Sequence, residues 1–179
     1  GRLKKAGGME IVEYRRGDSD EMLAEYTRSC DFVFHLAGVN RPKEEEEFTE
    51  GNISLTKRLI RLLEDNGNIA PVLLTSSTQA ELDNPYGRSK KKAEEAVFDY
   101  GERRSVPVFI YRLPNVFGKW SRPDYNSAVA TFCSNIARGL PINVNDPGHP
   151  MKLVYIDDLA EEFVQDMRKF SAGAYIPER

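Results

Sequence analysis

A chain of 179 residues is long enough for one domain with a sizeable core, and 40% hydrophobic residues exclude a disordered polymer. A net charge of −3 and a sequence pI near 5.6 argue against a nucleic-acid or anionic-membrane surface. Two cysteines, Cys30 and Cys133, lie far apart without CxxC spacing, and no apolar run reaches membrane length; a reducing compartment and a cytoplasmic location are the defaults.

GRLKKAGG, at the front, reads as the last turns of a helix capped by Gly7 and Gly8, not as a phosphate loop. Met9–Arg15 reads as a strand, Ser19–Arg28 as a helix, and DFVFHLAG (Asp31–Gly38) as a strand ending in small residues. Glu45–Asn66 reads as one long helix with Ile53, Leu59, Ile60 and Leu63 on one face, its acidic start suiting the positive end of the helix dipole. PVLLTSS is the next strand, and Pro85 opens a helix running to about Arg103. Val106–Pro114 is a strand, Asn126–Arg138 a helix, and INVN a short strand. LVYIDD then leads into a helix over Asp158–Lys169, which Asp157 and Asp158 cap.

Strands apolar nearly throughout, each followed by a helix, imply a parallel sheet covered on both faces. The expected fold is α/β, a doubly wound Rossmann-type sheet, with residues 1–179 as one partial NAD(P)-binding domain and no second domain. Neither G-x-G-x-x-G nor G-x-x-G-x-x-G occurs, so the first strand and its glycine-rich loop are expected to be missing. On this reading the chain is an internal piece of a longer protein, unable by itself to grip a dinucleotide pyrophosphate and inactive alone.

The stretch TSSTQAELDNPYGRSKKKAEE carries the chemistry. Tyr86 and Lys90 are four apart on a helix and share a face, and an ammonium beside a phenol favours the tyrosinate, which predicts a lowered tyrosine pKa. Ser77 sits at the carboxyl end of a parallel strand, where open α/β sheets bind ligands, and its hydroxyl is placed to hold a carbonyl or alcohol oxygen. Together the three groups suit polarisation of a carbonyl while hydride arrives from a nicotinamide. The strand expected from Met9 runs into Arg15 and Arg16 with no acid at its end, which favours the 2′-phosphate of NADPH over the bare ribose of NADH.

Other positions carry plainer readings. His35 is expected as a packed, hydrogen-bonded core residue. Asn40 and Arg41 follow a strand end and fit either substrate contact or loop structure. Phe117 and Trp120 are expected to pack, with sugar or uracil contact as the alternative. His149 lies in a PGHP loop, and no metal-ligand cluster is visible.

The pieces FVFHLAG, GN with Asn52, LLTSS, YGRSK, YRLPNVFG and LVYIDDLA occur in the order found in the extended short-chain dehydrogenase/reductases, which this chain resembles along nearly its whole length. HLAGVNRP, QAELDNPYGRSK, PNVFGKW and YNSAVATFCSNIARGLPINVND narrow the resemblance to the bacterial capsular-polysaccharide reductases of the CapF type. That resemblance implies reduction of the 4-keto group of a UDP-2-acetamido-2,6-dideoxy-hexos-4-ulose with NADPH, in capsule or O-antigen precursor synthesis. It implies Ser77, Tyr86 and Lys90 as catalytic residues, with Lys90 also on the nicotinamide ribose. Leu36, Ala37, Gly38 and Pro114 would line the cofactor; Thr78, Gln79, Asn115 and Asn126 would meet the substrate. It also implies a C-terminal cupin-like domain and a homodimer, with Leu55, Leu62, Ala93 and Val97 as apolar contacts across the two-fold axis. The alternatives are an NAD-dependent nucleotide-sugar epimerase of the same superfamily and a non-catalytic NADP-binding domain. A dehydratase is disfavoured because Thr78 and Gln79 stand where such enzymes carry an acidic pair.

Overall fold

Val72, Leu73 and Leu74 are all but completely buried, because the strand they begin lies in the middle of a sheet with a neighbour on either side. The structure is a computed structural model that describes residues 7–144, 146–148 and 150–171. They fall into two compact units, one up to Arg112 and one from Leu113, each described by itself below.

In the first unit, helix α1 (Asp20–Ser29) starts where the Ser19 hydroxyl accepts the Met22 N–H, with Asp20 and Glu21 in the first turn. Strand β1 (Val33–His35) pairs in parallel with β2 (Val72–Ser77), Val33 opposite Val72 and His35 opposite Leu74. Strand β3 (Val108–Leu113) flanks β2 on its other side. Between β1 and β2 runs helical chain in three parts: α2 (Glu46–Phe48), a π-helical segment (Thr49–Ser54) and α3 (Leu55–Asp65). A short 3₁₀ turn (Thr78–Glu81) follows β2 and leads to α4 (Pro85–Arg104).

The core is formed by Leu59, Ile60 and Leu63 of α3, Val72 and Leu74 of β2, and Ala93, Val97 and Tyr100 of α4. Tyr100 is fully buried, and its hydroxyl donates to the Ala70 carbonyl at 2.8 Å, tying the last turns of α4 to the start of β2. Asn68 ties α1 to the same region, donating to the Thr27 and Cys30 carbonyls at 2.9 and 3.0 Å.

In the second unit, β4 (Asn115–Phe117) and β5 (Leu153–Tyr155) pair in parallel, Asn115 opposite Leu153. Helix α5 (Ala128–Ala137) is capped by the Ser127 hydroxyl on the Ala130 N–H, and α6 (Ile156–Ser171) follows β5 directly.

Several expectations need correction. Met9–Arg15 forms no strand: a strand exists only through its ladder, and no described segment pairs with this one. Residues 142–144 likewise carry no ladder, whereas Asn115–Phe117, too short to show a period, does. The helix from Glu46 is widened over Thr49–Ser54. Ala93 and Val97 are buried in this chain's own core and offer nothing to a second copy. Trp120 is 99% exposed at a positive φ of 67° and packs under nothing. Asp157 and Asp158 lie inside the first turn of α6, where their charge suits the dipole, rather than at its cap. The helix expected before Gly7 and the side chain of His149 lie outside the described residues.

Tyr100→Phe removes a buried hydrogen bond and leaves the Ala70 carbonyl unpaired. Urea denaturation is expected to show a loss of about 1–3 kcal/mol, with the m-value unchanged.

Candidate active site

Strand β2 ends in three hydroxyl residues, Thr75, Ser76 and Ser77, whose side chains alternate between the faces of the sheet. The Ser77 hydroxyl accepts the Gln79 N–H at 3.2 Å and so starts the 3₁₀ turn. The turn folds back onto the first turn of α4 at Gly87, where an added Cβ would lie 2.2 Å from the Gln79 carbonyl oxygen and 2.5 Å from that of Leu82. Only glycine allows so close an approach, and it brings the Ser77 hydroxyl into hydrogen-bonding reach of the Tyr86 phenol. Asn84 caps α4 by accepting the Gly87 N–H at 2.7 Å, and Pro85 suits the first helical position. The Tyr86 ring rests on Phe48, with centroids 5.6 Å apart.

One turn along α4, Lys90 is only 5% exposed. Its Nζ donates to the Thr75 carbonyl at 2.7 Å. It also lies beside Gly38, where a Cβ would come within 3.4 Å of Nζ and 3.0 Å of Asn52 Oδ1. Burial lowers the Lys90 pKa to about 8, partly opposed by Glu94 on the same helix. The expected lowering of the tyrosine pKa is not found: burial pushes the Tyr86 phenol up, and the Ser77 hydrogen bond offsets this only in part. Burial favours the uncharged form, so Tyr86 is a phenol, a proton donor, across neutral pH.

Asn52, in the π-helical segment, was missed as a site residue and holds the frame. Its side chain pairs with Val39 as a neighbouring strand would, accepting from N–H at 2.8 Å and donating to C=O at 2.9 Å. It also donates to Ser89 Oγ at 2.9 Å, and Ser89 in turn donates to the Tyr86 carbonyl at 2.7 Å. One buried amide thus fixes the loop after β1 against the first turn of α4. Gly51 lets the loop in, since a Cβ there would meet Val39 Cγ2 at 2.3 Å. Thr56 Oγ1 donates to the Asn52 carbonyl at 2.6 Å, so at 2.8 Å it must accept from His35 Nε2, which assigns the proton to Nε2. His35 is a hydrogen-bonded core residue, as expected, and burial together with Lys90 lowers its pKa to about 4.

Ser77, Tyr86 and Lys90 are therefore gathered in one place, with Leu36, Ala37 and Gly38 exposed at the carboxyl end of β1 and Gly38 directly beside Lys90. Thr78 and Gln79 are exposed on the 3₁₀ turn. Asn40 and Arg41 are exposed on the loop after β1. Arg15 is exposed and paired with Glu13, and its N–H donates to Asp18 Oδ2 at 2.6 Å; Arg16 is exposed next to it, with its charge acting on Glu47. Pro114, Asn115 and Asn126 belong to the second unit, where the exposed Asn115 opens β4 with its N–H on the Lys152 carbonyl at 3.3 Å and Asn126 is exposed ahead of the Ser127 cap.

A family model for NAD dependent epimerases and dehydratases matches residues 2–175 of the chain. The chain belongs to the NAD dependent epimerase/dehydratase family. It is 54% identical over 165 residues, 92% of its length and 44% of the relative's, to a UDP-2-acetamido-2,6-beta-L-arabino-hexul-4-ose reductase of Pseudomonas aeruginosa. Among solved structures it resembles the capsular polysaccharide assembling protein CapF of Staphylococcus aureus, with a TM-score of 0.81, 40% identity, and coverage of 99% of this chain and 47% of that one. A UDP-glucuronic acid 4-epimerase of Bacillus cereus, at 21% identity and TM-score 0.71 over 81% of this chain and 52% of that one, shares the fold. The chain spans about half the length of the relatives it matches. Among the described residues no helix is long and apolar enough to cross a membrane.

His35 supplies a pH test of this arrangement. Its folded-state pKa of about 4 lies below the ordinary 6.5, so between these values the unfolded chain binds the extra proton. The stability from burying a neutral imidazole is complete above pH 6.5 and is lost as pH falls toward 4, about 3 kcal/mol in all. Denaturation curves between pH 7 and pH 4 should show that loss, and a His35→Gln variant should show a shallower one.

Proposed function

We propose that the protein carrying this chain is an NADPH-dependent nucleotide-sugar reductase acting on the C4 keto group of a UDP-2-acetamido-2,6-dideoxy-hexos-4-ulose, in bacterial capsule or O-antigen precursor synthesis. The observation that carries the reading is the gathered Ser77, Tyr86 and Lys90, in a chain 54% identical over 92% of its length to a reductase named for such a substrate.

The strand end at Leu36–Gly38 fits a dinucleotide. It is exposed, it lacks side-chain bulk at Ala37 and Gly38, and beside it Lys90 spends one of three N–H donors on Thr75, leaving others for ribose hydroxyls. Bound there, the reduced nicotinamide would supply the hydride. Ser77 would hold the keto oxygen by hydrogen bonding and orient the carbonyl. Tyr86 would give its phenolic proton to that oxygen as the C4–H bond forms, leaving a C4 alcohol and a phenolate. The Lys90 ammonium stabilises the phenolate and holds the ribose. A tyrosine kept protonated suits an enzyme whose committed step is protonation of an oxygen.

Arg15 and Arg16 are proposed to take the 2′-phosphate of NADPH. The Arg15–Glu13 pair is solvent-exposed and easily exchanged for that phosphate. Asn40, Arg41, Thr78, Gln79, Asn115 and Asn126 are proposed as substrate contacts, and Pro114 as a cofactor contact. Residues 1–179 are proposed as one part of an NADP-binding domain, in a cytoplasmic homodimer.

The test is turnover of the UDP-4-keto sugar by the full-length protein with each cofactor. One NADPH oxidised per sugar consumed, with NADPH favoured over NADH, is the expected result; a sugar that changes configuration with no net cofactor oxidised would make the protein an epimerase. Tyr86→Phe should lower kcat by about 10²–10⁴-fold with the fold intact by circular dichroism. Lys90→Met should in addition raise the KM for NADPH.

A further inference from the structure

Tyr86, Lys90 and Glu94 stand at i, i+4 and i+8 along one face of α4. The first two belong to the site just described; Glu94 touches neither cofactor nor substrate in that reading. It is nonetheless 2% exposed, and it is held from two other elements. The Ser76 hydroxyl of β2 donates to its Oε1. Arg112 of β3 binds both carboxylate oxygens, from Nε at 3.0 and 3.1 Å and from a terminal nitrogen at 2.7 Å. The other terminal nitrogen of Arg112 reaches Glu81 at 3.0 Å, on the turn that follows Ser77.

A single carboxylate therefore joins the end of β2, the middle of α4 and β3, and through Arg112 the turn after the reactive serine. Ser76 and Ser77 are neighbours on opposite faces of the strand, so holding Ser76 from one face fixes the height and rotation of Ser77 on the other. A well-packed apolar cluster would bind these elements together at least as well as a buried ion pair. The feature that an apolar cluster lacks is the charge, one turn from Lys90.

We propose that Glu94 is a positioning residue for the Ser77, Tyr86 and Lys90 trio, locking the ends of β2 and α4 together and placing a fixed negative charge behind the Lys90 ammonium. The proposal rests on the reading of that trio as the reacting groups. Burial favours loss of the Lys90 proton, and Glu94 opposes it. The other groups facing the ammonium are His35 on β1, neutral above about pH 4, and the Thr75 carbonyl oxygen, while Arg112 from β3 partly neutralises Glu94.

The test is the pH dependence of reductive turnover in the full-length protein. Glu94→Gln should lower kcat on the order of tenfold, less than the about 10²-fold that a 1 Å misplacement can cost, with KM for the UDP-sugar unchanged. It should also move the alkaline limb of the kcat profile to lower pH, because Lys90 loses its proton sooner. Glu94→Asp keeps the charge and should return the limb to its native position. A folded Glu94→Gln protein with native kcat and a native limb overturns the proposal. If that variant does not fold, Ser76→Ala carries the test: lower kcat at unchanged KM and unchanged limb supports the proposal, and native kcat overturns it. Tyr86→Phe separates the two layers of argument. Full turnover in Tyr86→Phe sinks the reading of the trio, whereas an inactive Tyr86→Phe beside a native Glu94→Gln sinks the role of Glu94 alone.

Discussion

An ammonium taken out of water must find oxygen, and at Lys90 the fold supplies it from the backbone of its central strand. The 2.7 Å bond from Nζ to the Thr75 carbonyl sets the distance between α4 and the end of β2. With that distance set, Tyr86, one turn earlier on the same helix face, must stand over Ser77. The cost of burial is left partly uncompensated, which is why the lysine holds its proton less firmly than an exposed one. Such a residue can hold a ribose, favour a phenolate when one forms, and respond to the charge of its neighbours.

Around this bond the polar side chains form two layers with different tasks. On the β1 side, Asn52, Thr56 and His35 form a satisfied chain of hydrogen bonds that fixes the loop at Val39 and excludes charge. On the β3 side, Ser76, Glu94 and Arg112 form a charged cluster. Lys90 lies between a neutral histidine and an ionised carboxylate. Glycine at three positions makes the approach possible: Gly38 beside the ammonium, Gly51 under Val39 and Gly87 against the turn after Ser77. At Gly38 and Gly87 a methyl group would crowd polar side-chain atoms or backbone oxygens on which the site depends, and at Gly51 it would collide with the Val39 side chain.

Much of this was legible in the sequence. Near-continuous apolar strands followed by helices gave the parallel sheet, the Ser77–Tyr86–Lys90 intervals pointed to the site, and His35 was read correctly as a core residue. Several of the failures share a cause: they concern surroundings distant in the chain. Met9–Arg15 has the composition of a strand, but composition supplies no ladder. Ala93 and Val97 looked spare because their partners in α3 and β2 cannot be seen from α4 alone. The rise in the Tyr86 pKa could not be foreseen from the Tyr–Lys spacing, since it comes from burial of the phenol, which spacing does not show. Asn52 and Glu94 carried weak local signals, a Gly-Asn pair in a helix and a third residue at four-residue spacing. Their meaning appears only when Val39, Ser89, Ser76 and Arg112 are brought to them.

The central claim is that Lys90 is a buried ammonium whose hold on its proton is set by the strand end and its neighbours. NMR titration of isotopically labelled lysine side chains in the full-length protein reads this directly, with the Lys90 signal assigned by its loss in Lys90→Met. The account predicts that the Lys90 signal titrates near pH 8, well below the ordinary lysine value. A Lys90 signal that titrates at the ordinary lysine value, near 10.4, would contradict it.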